Sequence, residues 1–482
     1  MGSASLRSRT LIILGGLGLC ACSFFDFFGY RDDAPLHVID RPEDYPSARF
    51  GAEIAPTTIR GTRTADLVGV SAGEGYPTVI YELAVDGKLV DVDDPWDVYG
   101  DTQTAEANGS GASLVGLPFW GDDLRTGCIA IGEAGLPRQV VIYCPEHASS
   151  HKITADAITA QDPAPNEDHA RRFGQLLAAI RPFEGPAWLL AAASERFAVV
   201  CSAVGRCTNR LVPTYGGQPA PGRIVELAAG RMADGRIYVA ATTHDSGGTV
   251  AVNRLHLFVQ NAPLAQGFSQ VACVNRSGEP GFAGSMVTGD LNGNGTDELI
   301  VSAAGVAGRL PVVYVYDPAV LEAAGPECAG DAPDPVTSIV PGDGPLDVEC
   351  GDTCDFGVAL AVGDIATDDD GPEVMVGAPG ATVDGVARAG AVYVYRGAEL
   401  AAGGPVAVAG RVAHSSPVLG SHFGGGLAVA PMAGRNELLA GMTGKGKLVI
   451  VYCTGVGEDL EAGADVTTSL GGSVISTRCR PK

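Results

Sequence analysis

The sequence predicts an all-β chain built from seven repeated units, and three observations predict it. Glycine (67) and proline (31) are abundant, and no long amphipathic helical pattern follows the leader, as in closed all-β folds. A short apolar run ending in small residues recurs seven times, at spacings of about 50 to 75 residues and mostly near 60. An oxygen-rich phrase occurs twice, each time directly before such a run: Gly289-Asp290-Leu-Asn292-Gly-Asn294-Gly295-Thr296-Asp-Glu298, and Gly363-Asp364-Ile-Ala-Thr-Asp368-Asp-Asp370-Gly371-Pro-Glu373.

The apolar runs lie at 67–73, 128–135, 188–194, 237–242, 299–305, 374–380 and 438–444. After nearly every one comes a loop and a second run with an aromatic at its end, at 79–81, 141–143, 197–200, 255–258, 313–316, 392–395 and 449–452. Both kinds of run are too short for helices and read as strands. A Phe-Gly pair precedes several units, at Phe50-Gly51, Phe173-Gly174, Phe356-Gly357 and Phe423-Gly424, with Phe282-Ala283-Gly284 as a variant. A small sheet of this kind cannot cover both its own faces. The units must therefore stack around an axis and close, which makes the chain a seven-bladed β-propeller. Small residues such as Ala191–Ala193 and Ala303-Ala304 are expected on the innermost strands, where space is tightest. A propeller takes this length as one unit, so residues 45–482 are read as one domain.

The two phrases are oxygen clusters folded around a glycine, which is how proteins hold calcium. An EF-hand loop needs an acid at its twelfth position, but counting from Asp290 that position is Val301, inside the strand. The acid comes at the ninth position, Glu298, so the loop is shorter and leads into a strand. The expected ligands are Asp290, Asn292, Asn294 and Glu298 through their side chains and Thr296 through its carbonyl. In the second loop they are Asp364, Asp368, Asp370 and Glu373; it is one residue longer, its spacing is irregular and its charge is higher. Packed carboxylates repel unless a cation sits among them. The alternative is a plain Asn-Gly turn needing no metal.

These words resemble the FG-GAP repeats that form the blades of the integrin alpha-chain propeller and of many bacterial surface proteins. Phe356-Gly357, Gly363-Asp364, Val376-Gly377-Ala378-Pro379 and Gly390-Ala391-Val392-Tyr393-Val394-Tyr395 follow the family pattern in order across one unit. The units at 280–317 and 422–453 match well, whereas those of the first half keep the strands and have lost most of the signature. The last unit has Pro431-Met-Ala-Gly-Arg435-Asn-Glu437 where a calcium loop would sit, which argues against metal there. The resemblance implies structural Ca2+ in loops on the blade rim, away from the ligand-binding face.

The first residues read as a targeting signal. Arg7 and Arg9 precede an apolar stretch at 11–19 that is too short to span a bilayer. Leu19-Cys20-Ala21-Cys22 resembles the lipobox of bacterial lipoproteins, with Cys22 as the lipidated residue. This implies a signal peptide over 1–21, a tether over 22–44 and attachment to the membrane by lipid alone. Ser23 in place of an aspartate implies the outer membrane of a bacterial envelope. The alternative is an ordinary cleaved secretory signal. Ten further cysteines fall as near neighbours and suit disulfides in an oxidising compartment: Cys128 with Cys144, Cys201 with Cys207, Cys273 with Cys328, Cys350 with Cys354, and Cys453 with Cys479. The 201–207 and 350–354 pairs could instead ligate metal, but no histidine sits near them at zinc spacing.

A net charge of −24 opposes nucleic-acid binding and binding to anionic lipid surfaces. Gly69-Val-Ser71-Ala-Gly73 matches the G-x-S-x-G pattern, but it ends a strand and a turn follows, with no helix. His147 and His151 fall in a polar stretch. No acid–base constellation is visible, so the expectation is a monomeric binding or scaffold module for a protein or glycan. The alternative is a propeller hydrolase or lyase acting on an extracellular polymer in its central funnel. The tail at 467–479 is expected to supply the outer strand of the last blade.

Overall fold

The computed structural model describes residues 36–451, except for stretches of which the longest are 90–96, 100–109, 155–171, 181–188, 342–347 and 366–370. It is a seven-bladed β-propeller: seven antiparallel sheets follow one another in a ring. The first strands of the blades are Glu53–Arg60, Ser110–Trp120, Leu176–Ile180, Arg223–Arg231, Phe282–Gly289, Leu360–Gly363 and Phe423–Met432, and each packs on the next until the last meets the first. The second strands are Thr64–Ser71, Arg125–Glu133, Leu189–Ala193, Ile237–Asp245, Glu298–Ala303, Glu373–Ala378 and Arg435–Met442. All seven contain the apolar runs read from the sequence, and the aromatic-ended runs fall on the third strands.

Alternation explains which strand is which. Along the inner strand Phe423–Met432 buried and half-buried residues alternate, because one face meets another blade and the other faces the central opening. The second strands Glu298–Ala303 and Glu373–Ala378 are buried throughout, because both of their faces are covered by neighbouring blades. Val374 and Val376 pack toward blade 5 while Met375 packs toward blade 7. The core is accordingly a set of seven layers, each between two adjacent blades. The expected place for Ala191–Ala193 needs correction: these residues lie on the second strand of blade 3, not the innermost. There both faces are covered by neighbouring blades, and small side chains let the sheets approach.

The Phe-Gly pairs act as spacers between blades. Phe50, Phe173, Phe282, Phe356 and Phe423 are all almost completely buried. The next residue has positive φ in every case, from 83° to 90° at Gly51, Gly174, Gly357 and Gly424 and 56° at Ala283. At Gly51, Gly174 and Gly424 this turn lays its backbone on a glycine of the preceding blade, whereas Gly357 lies against Ser302 and Val313 of blade 5. A Cβ added at Gly377 would overlap the carbonyl oxygen of Gly424, and Gly441 meets Gly51 in the same way. Blade 2 has no phenylalanine here. Ser110-Gly111 takes the place: Ser110 is buried, Gly111 has φ 73°, and the register shift between Ser110 and Leu114 repeats those after Phe282 and Phe423.

The ring closes where the sequence did not indicate. Leu36–Asp40 pairs antiparallel with Lys447–Val451 and forms the outer strand of the last blade. The expected tail 467–479 therefore does not hold that edge; the tail itself lies outside the described residues. The closing strand falls within 22–44, the segment read as a tether. Its alternation is plain only beside its partner: Ile39 is buried between blades 7 and 1, while Asp40 is exposed and pairs with Lys447 at 2.8 Å.

Candidate functional site

Because strands alternate in direction, the loops joining first to second strands lie on one face of the ring. Those entering each blade lie on the other. Both acidic loops are on the first face, side by side: the Gly371 region of the second abuts the Leu291 carbonyl of the first. Leu291 is buried and anchors its loop among blade 6 residues.

In the first loop hydrogen bonds link the side chains of Asp290, Asn292, Asn294 and Glu298 to the loop's own amides. Asp290 accepts hydrogen bonds from the Asn294 and Gly295 amides at 3.0 and 2.9 Å. Asn292 Oδ1 accepts from the Asn294 amide, and Asn294 Oδ1 from the Thr296 amide at 2.7 Å. Glu298 closes the loop by accepting from the Leu291 amide and the Asn292 side-chain amide at 2.8 and 2.9 Å. Glycines 293 and 295 have positive φ, which lets the chain coil this tightly. Each carboxylate oxygen keeps lone pairs beyond those it uses for the amides. Two carboxylates, two amide oxygens and a carbonyl suit a hard cation that takes six to eight oxygens, with water for the rest. Burial, followed by the nearby charges of Asp290 and Asp317, raises the Glu298 carboxyl above its ordinary range. A cation would relieve that penalty.

The second loop repeats the closing bond. Glu373 is buried and accepts from the Ile365 amide at 2.9 Å, as Glu298 does from Leu291. Asp364 holds the position of Asp290; Asp368 and Asp370 lie outside the described residues. Blade 7 keeps only the buried Glu437 at the matching strand start. Asp297, which the sequence reading passed over, ties the first loop to blade 4 through Arg231: the Arg231 amide donates at 2.8 Å and its guanidinium at 3.2 Å.

The opposite face is different. Of the nine exposed large apolar side chains among the described residues, Val212, Tyr215, Leu310, Val340, Val358, Val418 and Leu419 belong to segments on the blade-entry face; Val98 lies on the outer strand of blade 1, and Val320 on the short helix Pro318–Ala324, which follows a third strand on the acidic-loop face. Arg254 stacks on Tyr215 at 4.7 Å there.

Two glutamates that no motif marks sit on the inner strands. Burial raises the carboxyl of Glu53 to about 7 and that of Glu226 to about 8. Glu53 further raises Glu226. Their blades, 1 and 4, are not neighbours, so this repulsion acts across the central opening.

Four disulfides join Cys128 to Cys144, Cys201 to Cys207, Cys273 to Cys328 and Cys350 to Cys354, as paired from the sequence. Cys22, Cys453 and Cys479 lie outside the described residues. Ser71 of the G-x-S-x-G match is fully buried, with its hydroxyl bonded to the Gly73 backbone. His151 is exposed on the outer strand of blade 2. Among the described residues no helix is long and apolar enough to cross a membrane. Compared with known proteins, the chain matches no family model and no curated protein.

Proposed function

We propose that the chain is an FG-GAP-like propeller held to the bacterial outer membrane through lipidated Cys22. It works as a binding or scaffold module whose acidic loops are ordered by structural calcium. The observation that carries this reading is the division between the two faces. The cation-suited loops gather on one, and seven of the nine exposed large apolar side chains among the described residues gather on the other. A rim stiffened on one side and an apolar face on the other suit recognition of a protein or glycan. Ca2+ supplies charge neutralisation and cross-linking of the loop. Asp290, Asn292, Asn294, Thr296 and Glu298 hold it in blade 5, and Asp364, Asp368, Asp370 and Glu373 in blade 6.

A screen of the mature protein on glycan and peptide arrays, with and without calcium, tests this. Selective binding that Leu419→Glu on the apolar face weakens supports it; uniform blank arrays count against it. A second reading, hydrolysis or lysis of a polymer in the central opening, draws on the facing pair Glu53 and Glu226. It requires product release from polysaccharide that Glu53→Gln abolishes.

A further inference from the structure

The outer edge of blade 4 holds a cluster in which a buried histidine joins a disulfide and which the acidic loops do not use. His256, on the third strand Val252–Gln260, lies directly opposite Cys273 on Phe268–Val274. Cys328 arrives from the segment after the short helix Pro318–Ala324 of blade 5. One imidazole nitrogen and the two sulfurs all lie within 4.8 Å of one another.

The histidine is fully buried. Its Nε2 is engaged by the Thr243 hydroxyl at 2.9 Å, and its Nδ1 has no partner in full hydrogen-bond geometry. Gln270 is a side-chain hydrogen-bonding neighbour of the ring, though its amide is shared: Oε1 also accepts from the Thr214 amide at 2.8 Å. Its Nε2 donates to the carbonyls of Thr214 and Pro326 at 3.0 and 3.2 Å. A buried ring nitrogen whose neighbouring amide is already shared with Thr214 and Pro326 is open to a further ligand. The Thr243 hydroxyl on Nε2 is the kind of contact that fixes the tautomer and orientation of a metal-binding histidine.

We propose that Cys273, Cys328 and His256 form a redox-gated zinc site. While the disulfide stands, the sulfurs have no charge to offer and the site is closed. Cys328 is the more exposed of the pair, so a dithiol reductant attacks there, forms a mixed disulfide and then its own internal disulfide. The dithiol gives two electrons and two protons; the two cysteines receive them as thiols. Zn2+ then displaces both protons and binds two thiolates and the imidazole nitrogen, leaving a fourth position for water. Two thiolates and an imidazole favour zinc over the calcium suited to the acidic loops.

The test titrates the full mature chain with Co2+, a spectroscopic stand-in for zinc, before and after treatment with a dithiol, and then displaces it with Zn2+. The reduced chain should show thiolate-to-cobalt absorption with one tight site per chain, absent from the oxidised chain. His256→Gln should weaken that site at least tenfold, and Cys328→Ser should abolish it. The other reduced cysteine pairs report in all variants alike, so the His256-dependent share identifies this site. Equal affinity in the reduced parent and His256→Gln, or no tight site in the reduced parent, would overturn the proposal.

Discussion

Blades 5 to 7 and blades 1 to 3 share one architecture but not one vocabulary. Blade 6 carries phenylalanine, glycine, acidic loop and Val-Gly-Ala-Pro in order; blade 2 carries almost none of it. Yet Gly132 of blade 2 meets the carbonyl of Gly174 just as Gly377 of blade 6 meets that of Gly424. At the corresponding end of blade 1 the first and second strands pair directly, and Thr58 on the first donates to the buried Asp66 opposite it at 3.0 Å. What these seams need, in the signature-poor half as in the other, is room for backbone against backbone. Loop chemistry is layered on top of that and can be lost without opening the ring.

The comparison is broken most severely at the glycines. Gly377→Ala forces a methyl into the Gly424 carbonyl and should cost on the order of 3 kcal/mol or more in chemical denaturation. Gly132→Ala in the signature-poor half should cost as much. Ala283→Gly should change stability by less than about 1 kcal/mol, since relief of the left-handed backbone at φ 56° offsets the loss of a buried methyl and the added chain entropy. A mild effect at Gly132 would show that the early seams are held differently.

The closing strand comes next. A chain beginning at residue 42 loses Leu36–Asp40 and leaves the edge of Lys447–Val451 unpaired. It should melt several degrees lower and self-associate on gel filtration. A truncated chain that stays monomeric with the parent's melting temperature would show the strand to be dispensable.

That strand also marks the limit of what the sequence discloses. The second and third strands were legible because burial on both faces imposes unbroken apolar runs. The outer strand Leu36–Asp40 pairs with residues at the far end of the chain, and nothing local in its sequence points there. Ser110-Gly111 was hidden because the backbone turn is kept while the aromatic is not. In the acidic loops the closing glutamates, Glu298 and Glu373, were legible in the spacing, and each accepts from the amide that follows its loop's first aspartate. Asp297, Glu53 and Glu226 were not, because their partners come from other blades or from across the opening, and His256 was not, because Thr243, Cys273 and Cys328 meet it only through strand register and a segment of the next blade.

The inner glutamates give a smaller effect, set by pH. Their folded carboxyls titrate at about 7 and about 8, above the ordinary glutamate value, so the folded state holds extra protons between. Their contribution to stability is present on the acid side and is lost as pH rises through those values. Melting temperature should fall between about pH 5.5 and about pH 8.5, and Glu53→Gln with Glu226→Gln should flatten the slope. An unchanged slope in the double variant would place the titration elsewhere.

The central claim, that the loops of blades 5 and 6 hold structural calcium which blades 1 to 3 do not, is tested most directly by calorimetric calcium titration paired with melting in chelator. The account predicts binding with Kd on the order of 10⁻⁴ to 10⁻³ M. Occupancy stabilises as RT ln(1 + [L]/Kd), about 1 to 2 kcal/mol at calcium around ten times Kd, so chelator should lower the melting temperature by a few degrees without unfolding the chain. Asp290→Ala should remove most of that response and Asp364→Ala a smaller part. No heat of binding at millimolar calcium, with a melting temperature indifferent to chelator, would contradict it.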